Sequence, residues 1–368
     1  MTVIIFLIVL AILIFVHELG HFLTARAFGI RVDAFALGFG PKLFSWKRGE
    51  TTYSLNLIPF GGYVKIFGEN PDDESLRGPD SKRSFVNKPK WQQVIVLAAG
   101  VFFNFIFAWL LYVATFTSGV TATTDGFEKY ADRFENERIM VSYVAPGSPA
   151  EKAGLTLGDV LKDIKTEGPT ETVPIQNIEE IQAIINGSAG TPVMISYTRG
   201  SQATTTTLIA VNDIVEGKYA VGIAMADVGD LHLPFFTAIY EAGHYTIIML
   251  RDTAIGLYAF FASIFQGTAN FSDVSGPIGI AGIVGNAAEM GFTYLLMITA
   301  LISINLGIIN LVPFPALDGG RIFFILIETV IRRRIPMKFA NAVNAVGFSL
   351  LMLLMLVVTY KDVVKLFR

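Results

Sequence analysis

His17-Glu18-Leu19-Gly20-His21 places two imidazoles four residues apart, with a carboxylate directly after the first. On a helix, side chains at i and i+4 lie one above the other on the same face, so His17 and His21 can close on one metal ion. Neutral imidazole is a good ligand for Zn²⁺, and zinc lowers the pKa of a water it holds to about 7. Glu18 is placed to accept a proton from such a water and to return it to a leaving amine. The chemistry implied is metal-assisted hydrolysis. The same five-residue pattern also arises by chance in soluble helices, as a solvated stripe. Here it directly follows the apolar run Thr2–Val16, and three ionisable side chains at membrane depth are costly unless they pair or bind something.

A catalytic zinc keeps three protein ligands and one open position. The chain has no cysteine, so the third ligand must be His, Asp or Glu, at the same depth. His232 and His244 fall in or beside an amphipathic stretch, where a solvated face accounts for them. Asp318, in Ala316-Leu317-Asp318-Gly319-Gly320, ends the apolar run of a later span, and ligation would offset the cost of a carboxylate there. Asp318 also suits a helix N-cap ahead of the helix-like stretch that starts at Arg321. A membrane aspartyl protease would need a second aspartate on a facing span, and Asp318 has no such partner.

The elements that must hold these residues read as membrane segments. The chain of 368 residues is 52% hydrophobic and 16% charged, below the quarter or so of charged residues in soluble domains. Residues 1–24 form a first span that ends in HELGH. A cleaved signal peptide would need a basic start and a small-residue cleavage site, and neither is present. Residues 91–118 form a second span, on which Gly100 and Asn104 share one face; ordinary helix packing explains such a pair. Residues 291–320 and 342–360 give a third and a fourth span.

Residues 25–90 carry eleven Lys/Arg and seven Asp/Glu, whereas 118–290 carry nine and twenty. The basic loops therefore face the cytoplasm and the acidic region faces out. The C-terminal tail, with Lys361, Lys365 and Arg368, would then also face out, mildly against that rule. A net charge of −3 gives no reason to expect nucleic acid as a partner.

Within the first basic loop, Tyr53–Glu69 reads as a β-hairpin turned at Pro59-Phe60-Gly61-Gly62. It is either a small soluble hairpin or a strand edge at the membrane that can pair with an extended peptide. Residues 130–228 read as a soluble α+β domain. It has a short helix at Pro149–Gly154, a helix started by Asn177 with Glu180, and a hairpin turned at Arg199-Gly200-Ser201-Gln202. In residues 232–290, Leu233–Gln266 is helical. Arg251 and Asp252 make a surface-lying helix cheaper than a span. Gly-rich Ser275–Gly285 reads as a turn or re-entrant segment, not a regular helix.

With these motifs in view, the chain resembles the bacterial site-2 proteases, the RseP-like branch of intramembrane zinc proteases. FVHELGHF, PFGGYVKIFGE, GSPAEKAGLTLGDVL and NLVPFPALDGGR occur in the family's order and together span nearly the whole chain. The resemblance implies a polytopic α-helical membrane protein of about four transmembrane helices. It also implies a cytoplasmic-side, membrane-associated β-hairpin and an inserted extracytoplasmic PDZ domain. His17, His21 and Asp318 would ligate Zn²⁺, with Glu18 as general base. Asn310 and Pro313 match positions that help hold the substrate backbone, and the Gly61-Gly62 element would take an unwound substrate as an added strand. The substrates implied are pre-trimmed single-span membrane proteins, such as anti-sigma factors, and remnant signal peptides, cut in the lipid of the bacterial inner membrane during regulated intramembrane proteolysis. Where the family's second-span motif has Gly-Pro-x-x-Asn, this chain has Gly100-Val101-Phe102-Phe103-Asn104 and lacks the proline.

A membrane adaptor working through the middle domain would tolerate loss of Glu18. A transporter would show paired broken helices, and the sequence has no internal repeat. Neither accounts for HELGH, Asp318 and Asn310 together.

Overall fold

The computed structural model describes residues 1–125, 127–166, 173–175, 177–200, 202–215, 217–268 and 275–366. Its helices are α1 (Thr2–Ala27), α2 (Asp73–Arg77), α3 (Lys90–Ser118), α4 (Pro149–Lys152), α5 (Ile178–Gly187), α6 (Phe235–Gln266), α7 (Pro277–Met290), α8 (Phe292–Leu311), α9 (Asp318–Ile331) and α10 (Met337–Leu366). Its strands are β1 (Val32–Arg48), β2 (Thr51–Ile66), β3 (Val120–Thr123), β4 (Phe134–Val144), β5 (Val160–Thr166), β6 (Val173–Pro174), β7 (Pro192–Arg199), β8 (Gln202–Ile209), β9 (Val211–Val215), β10 (Lys218–Ala220) and β11 (Ile223–Leu231). The chain forms two units, one of Met1–Thr115 with Phe235–Arg368 and one of Phe116–Pro234.

Among the described residues of the first unit, five helices are long and apolar enough to cross a bilayer: α1, α3, α6 over Phe235–Ile264, α8, and α10 over Met337–Val364. Helices suit that setting because they satisfy every backbone N–H and C=O internally. The fifth helix, beyond the four expected, is the stretch read as surface-lying. Arg251 and Asp252, the charges that argued against a span, pair with each other at 2.8 Å on an exposed face.

The Gly-rich stretch is a correction: α7 is a regular helix from Pro277 to Met290. Glycines that would break a helix in water here allow close approach, and a Cβ on Gly285 would lie 2.3 Å from the Thr2 side chain. Pro277 opens the helix, where its missing N–H costs nothing. The buried Asp362 carboxylate accepts the Gly276 N–H (3.3 Å) and the Gly279 N–H (2.9 Å). The start of α1, α7 and the end of α10 thus gather at one end of the helical unit. HELGH lies at the other end of α1.

The hairpin of the basic loop is part of a larger ribbon. Besides the expected reversal at Pro59-Phe60-Gly61-Gly62, which falls within β2, the chain turns at Gly49-Glu50 between β1 and β2. The missed element is β1, whose Ala34–Leu37 pairs with Thr52–Leu55 on one side and with Gly62–Lys65 on the other. Thr52–Leu55 runs parallel to Ala34–Leu37 and Gly62–Lys65 runs antiparallel to it, so the chain reverses through Pro59–Gly62 and the first half of β1 lies between the two halves of β2; Gly61 has φ 118°. The ribbon exposes Leu43, Phe44, Trp46, Leu57 and Ile58. Its opposite side packs Phe35, Val64 and Ile66 against Phe22, Ala25, Val96 and Leu97.

In the second unit the strand order is β3-β11-β4-β5-β7-β8. The entering and leaving chains pair, with Val120 opposite Leu231 and the Leu233 N–H on the Phe116 carbonyl at 2.9 Å. Asn177 caps α5 through the Glu180 N–H (2.8 Å), and Ser148 caps α4 through the Glu151 N–H (3.2 Å). Ile181 and Ile185 of α5 pack on Val141, Ile164 and Ile195 of the sheet. Arg199 opposes Gln202 across the predicted hairpin; Ser201 of its turn lies outside the described residues. A groove of about 490 Å³ runs between α5 and β10–β11, lined by Gln182, Asn186, Tyr219, Ile223 and Met225. On the β3 side, β11 is paired from Val228 onward and Asp227 accepts the Thr124 N–H at 3.0 Å, which leaves that edge of Ile223–Ala226 open among the described residues.

Candidate metal centre

The centre is built where α1 crosses α3. Gly20 is the contact point: a Cβ there would lie 2.4 Å from the Ala99 carbonyl oxygen and 3.0 Å from the Gly100 Cα. With no side chain between them the backbones touch, and the next turn of α1 presents His17 and His21 to α3. Gly100 faces both rings; a Cβ on it would lie 2.5 Å from His21 Nε2 and 2.8 Å from His17 Cε1.

Asp318 comes from the far end of the chain. After α8 the chain turns through Pro313, with Ala316 at φ 76°, and α9 begins at Asp318. Gly319 and Gly320 set that start. A Cβ on either would fall 2.2–2.3 Å from carbonyl oxygens of Leu311, Val312 or Phe314, so α9 lies directly on the turn. The N-cap position is Leu317, and no side chain caps the helix. The N-cap alternative for Asp318 therefore falls away, and its carboxylate points to the histidines.

Three atoms able to ligate a metal converge. His17 Nε2 is 3.0 Å and His21 Nε2 is 3.3 Å from Asp318 Oδ2, and the two Nε2 atoms are 3.2 Å apart. Bonds of 2.0–2.1 Å to a tetrahedral zinc put neighbouring ligand atoms about 3.3 Å apart, so this triangle fits one face of such a site. Two neutral imidazoles and a carboxylate cannot satisfy one another so closely by hydrogen bonds alone. His21 Nδ1 donates to the Val96 carbonyl at 2.8 Å, which leaves Nε2 free as a ligand. Both histidines are buried. Among the described residues this is the cluster able to hold a metal ion; His232 and His244 are not part of it.

Glu18 is half-buried beside the triangle and accepts a hydrogen bond from the Val64 backbone amide of β2. Gly62 faces the same spot, since a Cβ on it would meet Glu18 Cγ at 3.4 Å and Ile14 at 2.9 Å. The segment Gly62–Ile66 has a strand neighbour on one side only among the described strands. Gly61 lies against the Phe39 ring. Asn310 sits in the last turn of α8, and Pro313 in the turn before Asp318. The sequence reading missed Val96, a backbone acceptor that side-chain identity cannot reveal. It read Gly100 and Asn104 as packing, although their spacing did place them on one face.

A protein of Clostridium perfringens, provisionally named a zinc metalloprotease, is 39% identical over 365 residues, covering 99% of each chain. A similarly named protein of Fusobacterium nucleatum is 34% identical over 373 residues, covering both chains fully. The zinc metalloprotease RasP of Shouchella clausii is 28% identical over 443 residues, covering all of this chain and 99% of its own. The model of peptidase family M50 matches residues 5–354. With that match over nearly its whole length, the chain belongs to peptidase family M50, the site-2 proteases.

Proposed function

We propose that this zinc metalloendopeptidase cuts peptide bonds within or beside the membrane segments of single-span proteins and remnant signal peptides, as in regulated intramembrane proteolysis. The observation that carries the reading is the His17–His21–Asp318 triangle at the end of an apolar span, with Glu18 beside an open strand edge.

His17, His21 and Asp318 hold the zinc. When bound, the ion polarises a carbonyl and makes a water acidic enough to ionise near neutral pH. Glu18 takes the proton that attack releases and hands it to the departing amine. A membrane helix hides its peptide bonds in internal hydrogen bonds, so it must be unwound before it can be cut. The Gly61–Ile66 edge of β2 offers replacement bonds to the unwound stretch where water is scarce. Asn310 and Pro313, on the segment leading to Asp318, hold the substrate backbone from the other side.

The basic loop of residues 25–90 faces the cytoplasm with the active site near it, and residues 130–228 form an extracytoplasmic PDZ domain. The open stretch of β11 beside α5 and its groove supports that reading, because a PDZ domain takes a peptide as a strand in such a place. The gathering of the start of α1 and the end of α10 supports both termini facing out.

The test is cleavage of a tagged single-span substrate by purified wild-type protein and Glu18→Gln, with bound zinc measured on both. Wild-type cutting, and a mutant that holds zinc without cutting, is the expected result. A mutant that cuts at the wild-type rate removes Glu18 from the mechanism.

A further inference from the structure

The second span contributes a polar side chain to the centre that the mechanism above does not use. Asn104 is fully buried, and its side-chain amide stands 3.2 Å from His17 Nδ1. Its place is fixed from behind, where the Ser303 hydroxyl of α8 donates to the Asn104 backbone carbonyl at 2.8 Å. With Nε2 of His17 turned to Asp318 and His21, a neutral ring carries its proton on Nδ1. An N–H in a membrane interior needs an acceptor. His21 meets that need with the Val96 carbonyl, one α3 turn before Gly100; Asn104 is one turn after it.

We propose that Asn104 is the positioning residue for His17: its side-chain oxygen accepts the Nδ1 proton and so holds the ring with Nε2 toward the metal. Which end of a planar amide faces the ring follows from where the ring's proton is. With Nδ2 toward Nδ1–H two donors face each other, and Oδ1 is left buried without a partner. Turned over, Oδ1 takes the proton. The amino group of a helical asparagine can donate to a carbonyl of the preceding turn, as Asn305 does to Leu301 at 2.9 Å. Residues that orient metal-bound histidines in this way change metal affinity about 10–100-fold when lost. One face of α3 then serves the whole pair of histidines: an acceptor for His21 at Val96, room for both rings at Gly100, and an acceptor for His17 at Asn104.

The inference rests on His17 being a zinc ligand, and the test separates the two. Zinc affinity is measured by chelator competition on the full-length, detergent-solubilised protein: wild type, His17→Ala, Asn104→Leu and Asn104→Asp. The expected result is a loss of about 10–100-fold in Asn104→Leu. Asn104→Asp, which keeps an acceptor in the same place, should stay within a few-fold of wild type. Wild-type affinity in Asn104→Leu, or equal losses in Asn104→Leu and Asn104→Asp, overturns the positioning role. Unchanged affinity in His17→Ala overturns the ligand reading beneath it. Should Asn104→Leu fail to fold, ¹⁵N-histidine NMR of the zinc-loaded wild type decides the matter, since the chain has only four histidines to assign. A protonated Nδ1 on His17 is expected, and a protonated Nε2 with Nδ1 on the metal refutes the proposal.

Discussion

Replacing Gly100 with alanine adds one methyl group against the rings of His17 and His21. Its carbon would lie 2.5 Å from His21 Nε2, 2.7 Å from His21 Cε1 and 2.8 Å from His17 Cε1. Non-bonded heavy atoms rest about 3.5–4.0 Å apart, so the rings must withdraw by about 1 Å. Backing α3 away instead would open the crossing at Gly20 and move the Val96 carbonyl off His21. Metal–ligand distances tolerate only about 0.2 Å of error. Zinc affinity should therefore fall at least as far as on loss of an orienting partner, about 10–100-fold, and cleavage by about 100-fold. The helix itself should not suffer, because alanine favours a helix interior over glycine by about 1 kcal/mol. The assay is chelator competition for zinc, cleavage of a tagged single-span substrate, and thermal unfolding of the metal-free protein. Gly256→Ala, in α6 with no atom within 4 Å of the added carbon, is the control and should behave as wild type. If Gly100→Ala holds zinc and cuts as well as Gly256→Ala, α3 does not wall the centre as described.

Glu18→Gln should keep zinc and lower the cleavage rate by about 10²–10⁴, the share of a general base, as read by single-turnover cleavage with metal analysis alongside. Asp318→Ala leaves two ligands of three and should lose metal and activity together; stoichiometric zinc in that mutant would remove Asp318 from the ligand set. In the second unit, burial raises the Asp230 pKa, but hydrogen bonds from Arg138, Thr121 and Asn136 outweigh it and hold the carboxyl below its ordinary value. A lowered folded-state pKa gives stability that is present above the unfolded-state value and is lost as pH falls through the folded one. Thermal unfolding should show Asp230→Asn less stable than wild type at neutral pH, within the ~1 kcal/mol ceiling of a partly exposed pair. That gap should close toward acid pH, and a gap independent of pH would refute the assignment.

The cluster of His17, His21 and Asp318 was legible because its evidence is local. Two histidines at i and i+4 on an apolar run carry their own geometry, and Asp318 stood out because few roles tolerate a carboxylate at membrane depth. What was hidden depends on partners far along the chain. Asp362 accepts an N–H of Gly279, 83 residues away, and no window around the Gly-rich stretch could show that α7 has a cap there. β1 was hidden for another reason. Its first half is buried and its second half exposed, so no single alternation marks it as one strand. Without β1, the two halves of β2 on either side of the glycines could only be read as direct neighbours.

The glycines around the ligands follow from the same physics. His17 and Asp318 are 301 residues apart, and their elements must meet within a few tenths of an ångström. Lipid removes the hydrophobic drive that would press helices together in water, so association rests on close packing through small residues. Each ligand-bearing element accordingly meets its neighbour at a glycine. Gly20 puts α1 on Ala99, Gly100 receives both rings, and Gly319 and Gly320 seat α9 on Leu311–Phe314. Gly62 extends the pattern to the substrate side, bringing the β2 edge against Ile14 and Glu18 of the same helix. HELGH and LDGG therefore specify two things at once, the donor atoms and the backbone contacts that hold them. A ligand restored on a scaffold without those contacts would have the right chemistry in the wrong place.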